Sequence, residues 1–173
     1  MTGDVPEFVV REGEVALETD PAALPGDGHV VFIGHVASPW LRRQDCPKNT
    51  RAARETGRPA TVIVDAPYRA GLRGLEGASH VIVLTWLDRS PRNLIVQKPR
   101  HASEAKGVFA LRSPLRPNLI GLHVVRLISL DPDAGELTLE AIDVLDGTPV
   151  IDLKPYFATV DSIPEATVRR SGE

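Results

Sequence analysis

Short β-branched runs recur along this chain, and proline or glycine closes off most of them. Val30-Val-Phe-Ile-Gly-His-Val, Thr61-Val-Ile-Val-Asp and Ser79-His-Val-Ile-Val-Leu-Thr-Trp read as strands. So do Val108-Phe-Ala-Leu, Leu122-His-Val-Val-Arg-Leu-Ile-Ser-Leu and Glu136-Leu-Thr-Leu-Glu-Ala-Ile-Asp-Val-Leu. In the last, Leu137, Leu139 and Ala141 fall on one face, with Glu136, Thr138 and Glu140 on the other. Helix signals are poor. The best is Asn49-Thr-Arg-Ala-Ala-Arg-Glu-Thr-Gly57, with an Asn or Thr cap and a glycine stop. Several strands without a βαβ rhythm predict a mostly-β protein, a small β-barrel with a few short helices in a single domain. A Rossmann layout is excluded, since no G-x-G-x-x-G follows a strand.

The 173 residues suffice for one good core. Residues 1–28 are acidic and rich in Pro and Gly, and read as an N-terminal extension with a short hairpin around Gly13. The barrel domain is placed at 29–161, and 162–173 as a flexible tail. No apolar run approaches a membrane span, and Met1-Thr-Gly-Asp-Val-Pro-Glu lacks the character of a signal peptide. The single Cys46 permits no intramolecular disulfide and suits a reducing cytoplasm.

Net charge is −3, yet the charges are segregated. Between Arg89 and Arg116 there are seven basic residues against Glu104 alone, and between Arg42 and Arg58 six against Asp45 and Glu55. Such clustering can steer an anionic partner despite a negative total; the competing reading is a set of scattered solvated loops. His29, His35, His101 and His123 lack metal-ligand spacing, so no metal site is expected. His80, at a strand start, reads as a structural hydrogen-bonding residue. A lone Cys46 beside proline, with no paired base, reads as structural rather than nucleophilic.

Two clusters carry most of the rigid, charged chemistry. Gly107-Val-Phe-Ala-Leu-Arg-Ser-Pro-Leu-Arg-Pro-Asn-Leu-Ile-Gly-Leu122 holds two arginines and an asparagine between prolines and glycines. Leu145-Asp-Gly-Thr-Pro-Val-Ile-Asp-Leu-Lys-Pro-Tyr156 adds two aspartates, a lysine and a tyrosine. Charged groups on such a constrained path are preorganised, which marks a site. Together with Phe32-Ile-Gly-His-Val-Ala-Ser-Pro-Trp40 and Gly71-Leu-Arg-Gly-Leu-Glu-Gly-Ala-Ser-His80, these blocks resemble the TsaA-like (TrmO) family from about Val31 to about Asp161.

That family consists of S-adenosylmethionine-dependent methyltransferases acting on threonylcarbamoyl adenosine beside the anticodon of certain tRNAs. The resemblance implies a small, often dimeric β-barrel with S-adenosyl-L-methionine as cofactor and tRNA as partner. It places donor binding on Pro47-Lys48-Asn49, on Asp88 and Arg89, on Arg112 and Leu122, and on Asp146-Gly147-Thr148-Pro149. Arg116 and Asn118 are candidates for the substrate. Asp152, Lys154 and Tyr156 are candidates for catalysis: Tyr156 or Asp152 would hydrogen-bond the acceptor and Lys154 would hold its carboxylate. Arg112 as a satisfier of loop carbonyls, and Asp152–Lys154 as a structural ion pair, remain open alternatives.

Two segments depart from the family pattern: Pro47-Lys48-Asn49 stands for Pro-Arg-Gln, and Pro117-Asn118-Leu119-Ile120 for Pro-Asn-Pro-Ile. Lysine keeps the charge but not the planar fork of arginine. A methyltransferase for a small carboxylated metabolite, and a non-catalytic donor-binding module, are the competing functions.

Overall fold

The chain folds as a closed six-stranded antiparallel barrel, seen in a computed structural model that describes residues 9–99 and 104–168. Its strands are β2 (Gly34–Ala37), β3 (Ala60–Val64), β4 (His80–Trp86), β7 (Ile120–Asp131), β8 (Glu136–Leu139) and β9 (Thr148–Pro155). They close in the order β2-β3-β8-β7-β4-β9. A three-stranded sheet in the order β1-β5-β6 uses β1 (Val15–Ala16), β5 (Leu94–Gln97) and β6 (Lys106–Gly107). The helices are short, α1 (Thr50–Glu55) and α2 (Ala158–Asp161), with a few 3-10 turns. The mostly-β barrel expected from the strand runs is therefore the fold observed.

Alternation explains how the barrel closes around its core. Val36, Val62, Val64, Val81, Val83, Val125 and Val150 point inward together with Leu137 and Leu139, and all are buried. A six-stranded barrel has a narrow interior, and stiff, compact valines fill it without needing many rotamers. Closure demands close backbone approach at β2, which pairs with β3 on one side and β9 on the other. A Cβ on Gly34 would lie 2.0 Å from the carbonyl oxygen of Ile63. Gly34→Ala should therefore cost about 3 kcal/mol, as overpacking does. A thermal melt should show it as a fall of about 10 °C.

α1 forms as its sequence predicts. The Asn49 side chain accepts from Ala52 N at 2.9 Å as N-cap, and Gly57 follows at φ +65°. Elsewhere several strand expectations are corrected. The first run becomes strand only from Gly34, and Val30, Val31 and Phe32 stay at least 43% exposed. Val108-Phe-Ala-Leu is a 3-10 turn over Val108–Ala110 rather than a strand, with Val108 buried and Phe109 outward. The run from Glu136 leaves the sheet after Leu139, though Ala141, Ile142 and Val144 remain buried. Instead of pairing, that segment docks on side chains: Trp40 Nε1 donates to Ile142 O at 2.8 Å and Ser38 Oγ to Val144 O at 2.7 Å.

Around Gly13, Glu14 N bonds back to Arg11 O in a turn, and β1 then pairs with β5 rather than forming a local hairpin. The start of that expected hairpin, Phe8, lies outside the described residues, as do Arg100 and the end of the tail. No helix among the described residues is long and apolar enough to cross a membrane.

Candidate functional site

A cleft of about 910 Å3 lies against the barrel, walled by segments from five parts of the chain. The Cys46–Arg51 turn into α1 forms one wall and the Leu87–Ser90 turn after β4 another. Arg112–Arg116, the first residues of β7 and the Asp143–Leu145 segment complete it. Its volume lies at the upper end of the range for small-molecule sites, which leaves room for a cofactor and part of a second ligand.

Most of the expected donor-binding residues meet here. Pro47, Lys48, Asn49, Asp88, Arg89, Arg112, Leu122 and Thr148 line the cleft, and so does Arg116. Leu122 and Ile120 are each nearly half exposed at its lip. Arg112 donates to Leu122 O at 2.9 Å, and Arg89 to Asp146 O at 2.7 Å. Each guanidinium thus braces a loop carbonyl with one donor and keeps others for a ligand. Arg116 donates to Leu111 O and Ser113 O, both at 3.3 Å.

The remaining expected residues lie just behind or beyond the wall. The Asp146 carboxylate accepts from Ser38 N at 3.0 Å, which pins its loop to the strand end of β2. Gly147 turns that loop at φ +75°, and a Cβ there would sit 3.3 Å from Arg89 Nη2. Pro149 pairs within β9 against His35. Asn118 is exposed and outside the wall. Asp152 and Lys154 form an ion pair of 2.6 Å on the outer face of β9, and Tyr156 follows at the strand end. None of these three lines the cleft. Asp152 pairs with Leu84 and Leu84 with Leu122, so Asp152 shares Leu122's face two strands away, about 10 Å at ordinary strand spacing.

Charge gathers at the cleft from both basic stretches. Arg43, Lys48 and Arg51 enter from one, and Arg89, Arg112 and Arg116 from the other. Against these six stand Asp88 and Asp143. Arg92 takes no part: it donates to Pro117 O at 2.7 Å and lies over the Trp86 ring. Arg43, Arg51, His123 and Asp143 were not singled out for the site by their sequence context. His123 and Asp143 are 20 residues apart, and only the loop after β8 brings them together.

Cys46 also faces the cleft. Burial, with the charge of Asp143 behind it, pushes its thiol up to about 11. Such a thiol is protonated at neutral pH, which fits a structural residue and not a nucleophile. Iodoacetamide at pH 8 should label Cys46 at least about 100-fold more slowly than a free thiol, because the thiolate fraction sets the rate. Rapid labelling would contradict the burial. The described residues contain no cluster of His, Cys, Asp or Glu fit to hold a metal ion. His80 Nδ1 lies 3.0 Å from Ser79 Oγ, a local bond at the start of β4.

The sequence model of the tRNA-methyltransferase O N-terminal domain family matches residues 35–162. The chain belongs to this family. Among its relatives is a probable S-adenosyl-L-methionine-binding protein, VirR, of Rhizobium radiobacter. The two are 36% identical over 94% of this chain and 87% of that one. The tRNA (adenine(37)-N6)-methyltransferase of Escherichia coli is 34% identical over 78% of this chain and 60% of its own length. A crystal structure of TrmO from Pseudomonas aeruginosa superposes with a TM-score of 0.65 at 34% identity, over 82% of this chain and 62% of that one. The chain thus spans most of the Rhizobium protein and about three-fifths of the other two.

Within this tRNA-methyltransferase O family member, the two departures have different local consequences. Lys48 puts a point charge where the family pattern has a forked guanidinium, and the neighbouring Asn49 uses its amide oxygen for the helix cap, which leaves its amide nitrogen for a ligand. Leu119, where the family has proline, is 3% exposed and anchors the turn by burial instead.

Proposed function

We propose that this chain is an S-adenosyl-L-methionine-dependent methyltransferase that N-methylates the threonylcarbamoyl adenosine beside the anticodon of tRNA. The observation that carries it is the cleft itself, where Pro47–Asn49, Asp88–Arg89, Arg112, Leu122 and Thr148 converge from separate loops. Their chemistry fits the cofactor. Leu87, Ile120 and Leu122 offer an apolar slot for adenine, and Asp88 an acceptor for ribose hydroxyls. Lys48 and Arg112 offer cations for the amino-acid carboxylate, and Gly147 permits close backbone approach. When bound, the cofactor supplies an electrophilic methyl group on a sulfonium.

The protein's part is to align the acceptor nitrogen in line with that methyl and to receive the proton lost as the N–C bond forms. In this reading Asp152 or Tyr156 meets the acceptor and Lys154 holds its carboxylate. Their place on the outer face of β9, beyond their own cleft, is accounted for by a symmetric homodimer. An isologous contact over the β4/β7/β9 face would bring a second subunit beside the Ile120–Leu122 lip and carry Asp152 toward a cleft. Light scattering at micromolar concentration should show a dimer, and a clean monomer would remove this explanation. A tRNA substrate also places the protein in the cytoplasm.

Radiolabelled methyl transfer from the donor to total RNA, run beside a metabolite extract, tests the function. Label in tRNA is expected. Label confined to the extract would give the acceptor as a small metabolite, and none in either would leave a binding module.

A further inference from the structure

A line of buried and part-buried side-chain hydrogen bonds runs through the lining of the cleft and belongs to neither of the two rigid, charged clusters of the sequence. Thr85 Oγ1 lies 3.1 Å from His123 Nε2, and His123 Nδ1 lies 3.1 Å from Asp143 Oδ1. The same carboxylate oxygen accepts from Thr50 Oγ1 at 2.7 Å. Thr85 and His123 are both buried, His123 at 6% exposure. Burial alone would raise the Asp143 carboxyl. The hydrogen bond and charge of His123, with the Thr50 hydroxyl, outweigh it and hold the group below its ordinary value. An ionised carboxylate only accepts, so the ring nitrogen facing it carries a hydrogen.

Three members of the line, Thr50, His123 and Asp143, adjoin different walls of the donor cleft. Thr50 follows Pro47-Lys48-Asn49, His123 follows Leu122, and Asp143 precedes the Asp146–Pro149 loop by three residues. Arg54 provides another tie between α1 and the barrel, to Val124 O and Glu140 at 3.3 Å each. That tie is solvent-exposed, and exposed pairs hold geometry weakly compared with buried, charge-assisted bonds. Gly121 gives a second, independent sign that the line is built in. A Cβ there would fall 2.3 Å from Thr85 Oγ1 and 2.8 Å from His123 Nε2. A side chain there would force Thr85 or His123 to shift.

We propose that His123 and Asp143 are positioning residues for the methyl donor: one carboxylate oxygen, shared by His123 and Thr50, sets the spacing of the three donor-binding walls. His123 is not a base for the acceptor, because Nε2 is engaged by the fully buried Thr85 and Nδ1 by Asp143. This inference rests on the donor-binding reading of the cleft.

The test is calorimetric titration of S-adenosyl-L-methionine into the wild type, His123→Ala, Asp143→Asn, their double variant and His123→Asn. Each of the first two single variants should bind about tenfold more weakly. The double variant should be no worse than the weaker single, since the two residues act through one contact. His123→Asn keeps a donor where Nδ1 stands and should recover most of the loss. Hydrogen exchange supplies a readout independent of the donor. Amides 51–55 and 146–148 should open faster in His123→Ala and Asp143→Asn, while the β3–β8 ladder keeps its protection.

Unchanged donor affinity, additive losses, or exchange raised uniformly around the barrel would each overturn the proposal. A wild type that binds no donor would overturn the functional reading, and this inference with it. The wild-type titration separates the two failures.

Discussion

Arg112→Ala combined with Asp146→Ala should weaken S-adenosyl-L-methionine binding by about 100-fold in a calorimetric titration of the pure protein. The two residues hold different loops of the site. Arg112 holds Leu122 O and offers its remaining donors to a ligand. Asp146 fixes Ser38 N through its carboxylate, and its carbonyl receives Arg89. Removing both side chains releases the Leu122 carbonyl from Arg112 and the Asp146 loop from Ser38 N, although the backbone bonds of the turn remain. Hydrogen bonds to charged groups contribute about 1.5–3 kcal/mol each, and about 2.7 kcal/mol is a factor of 100. Asp146→Ala alone should show the smaller loss, since its side chain works through the loop. If the double variant binds the donor as the wild type does, this cleft is not the donor site.

The fold and the site were legible to different depths, and for physical reasons. The barrel could be read because inward valines alternate along β3 and β4, where each pleat leaves its mark on the sequence. The α1 cap was legible because Asn49 and Gly57 have local, well-defined roles. The segment after Leu139 was not. Its apolar residues are buried by docking on Ser38 and Trp40, and an apolar run looks the same whether a ladder or a loop buries it. β5 and β9 were missed as strands for a related reason: Pro, Gly and charged residues crowd their surroundings. At the site, most of the donor-binding candidates from the motif resemblance adjoin ligand-sized space, while Asn118, Asp152, Lys154 and Tyr156 lie outside it. The resemblance passed over His123 and Asp143, which lie 20 residues apart and meet only in the fold. It also treated the two basic stretches separately, although α1 and the Arg112–Arg116 turn face one cleft.

That convergence sets the expected behaviour toward RNA. If tRNA is the acceptor, affinity should fall steeply with salt, because each neutralised phosphate releases counterions. With about four phosphate contacts on a single-stranded loop, raising salt from about 50 to about 200 mM should cost about 50-fold in affinity. Arg89 and Arg116 are poor sites for testing this by charge reversal, since both hold loop carbonyls and their loss would disturb the cleft. Arg92 is committed to Pro117 O, and Arg100 lies outside the described residues. Arg43 and Arg51 are the better pair: both are exposed at the cleft, and Arg51 has only a surface contact to Glu55 at 3.3 Å. Arg43→Glu with Arg51→Glu should weaken RNA binding at least about tenfold and lower the salt slope by about 1.4. Donor affinity should fall by a much smaller factor, because the donor walls carry other cations and phosphate contacts are a separate contribution. A parallel fall in both affinities would mean that these arginines shape the cleft rather than carry RNA. No RNA affinity even at low salt would make a small anionic acceptor the better reading of the six cations.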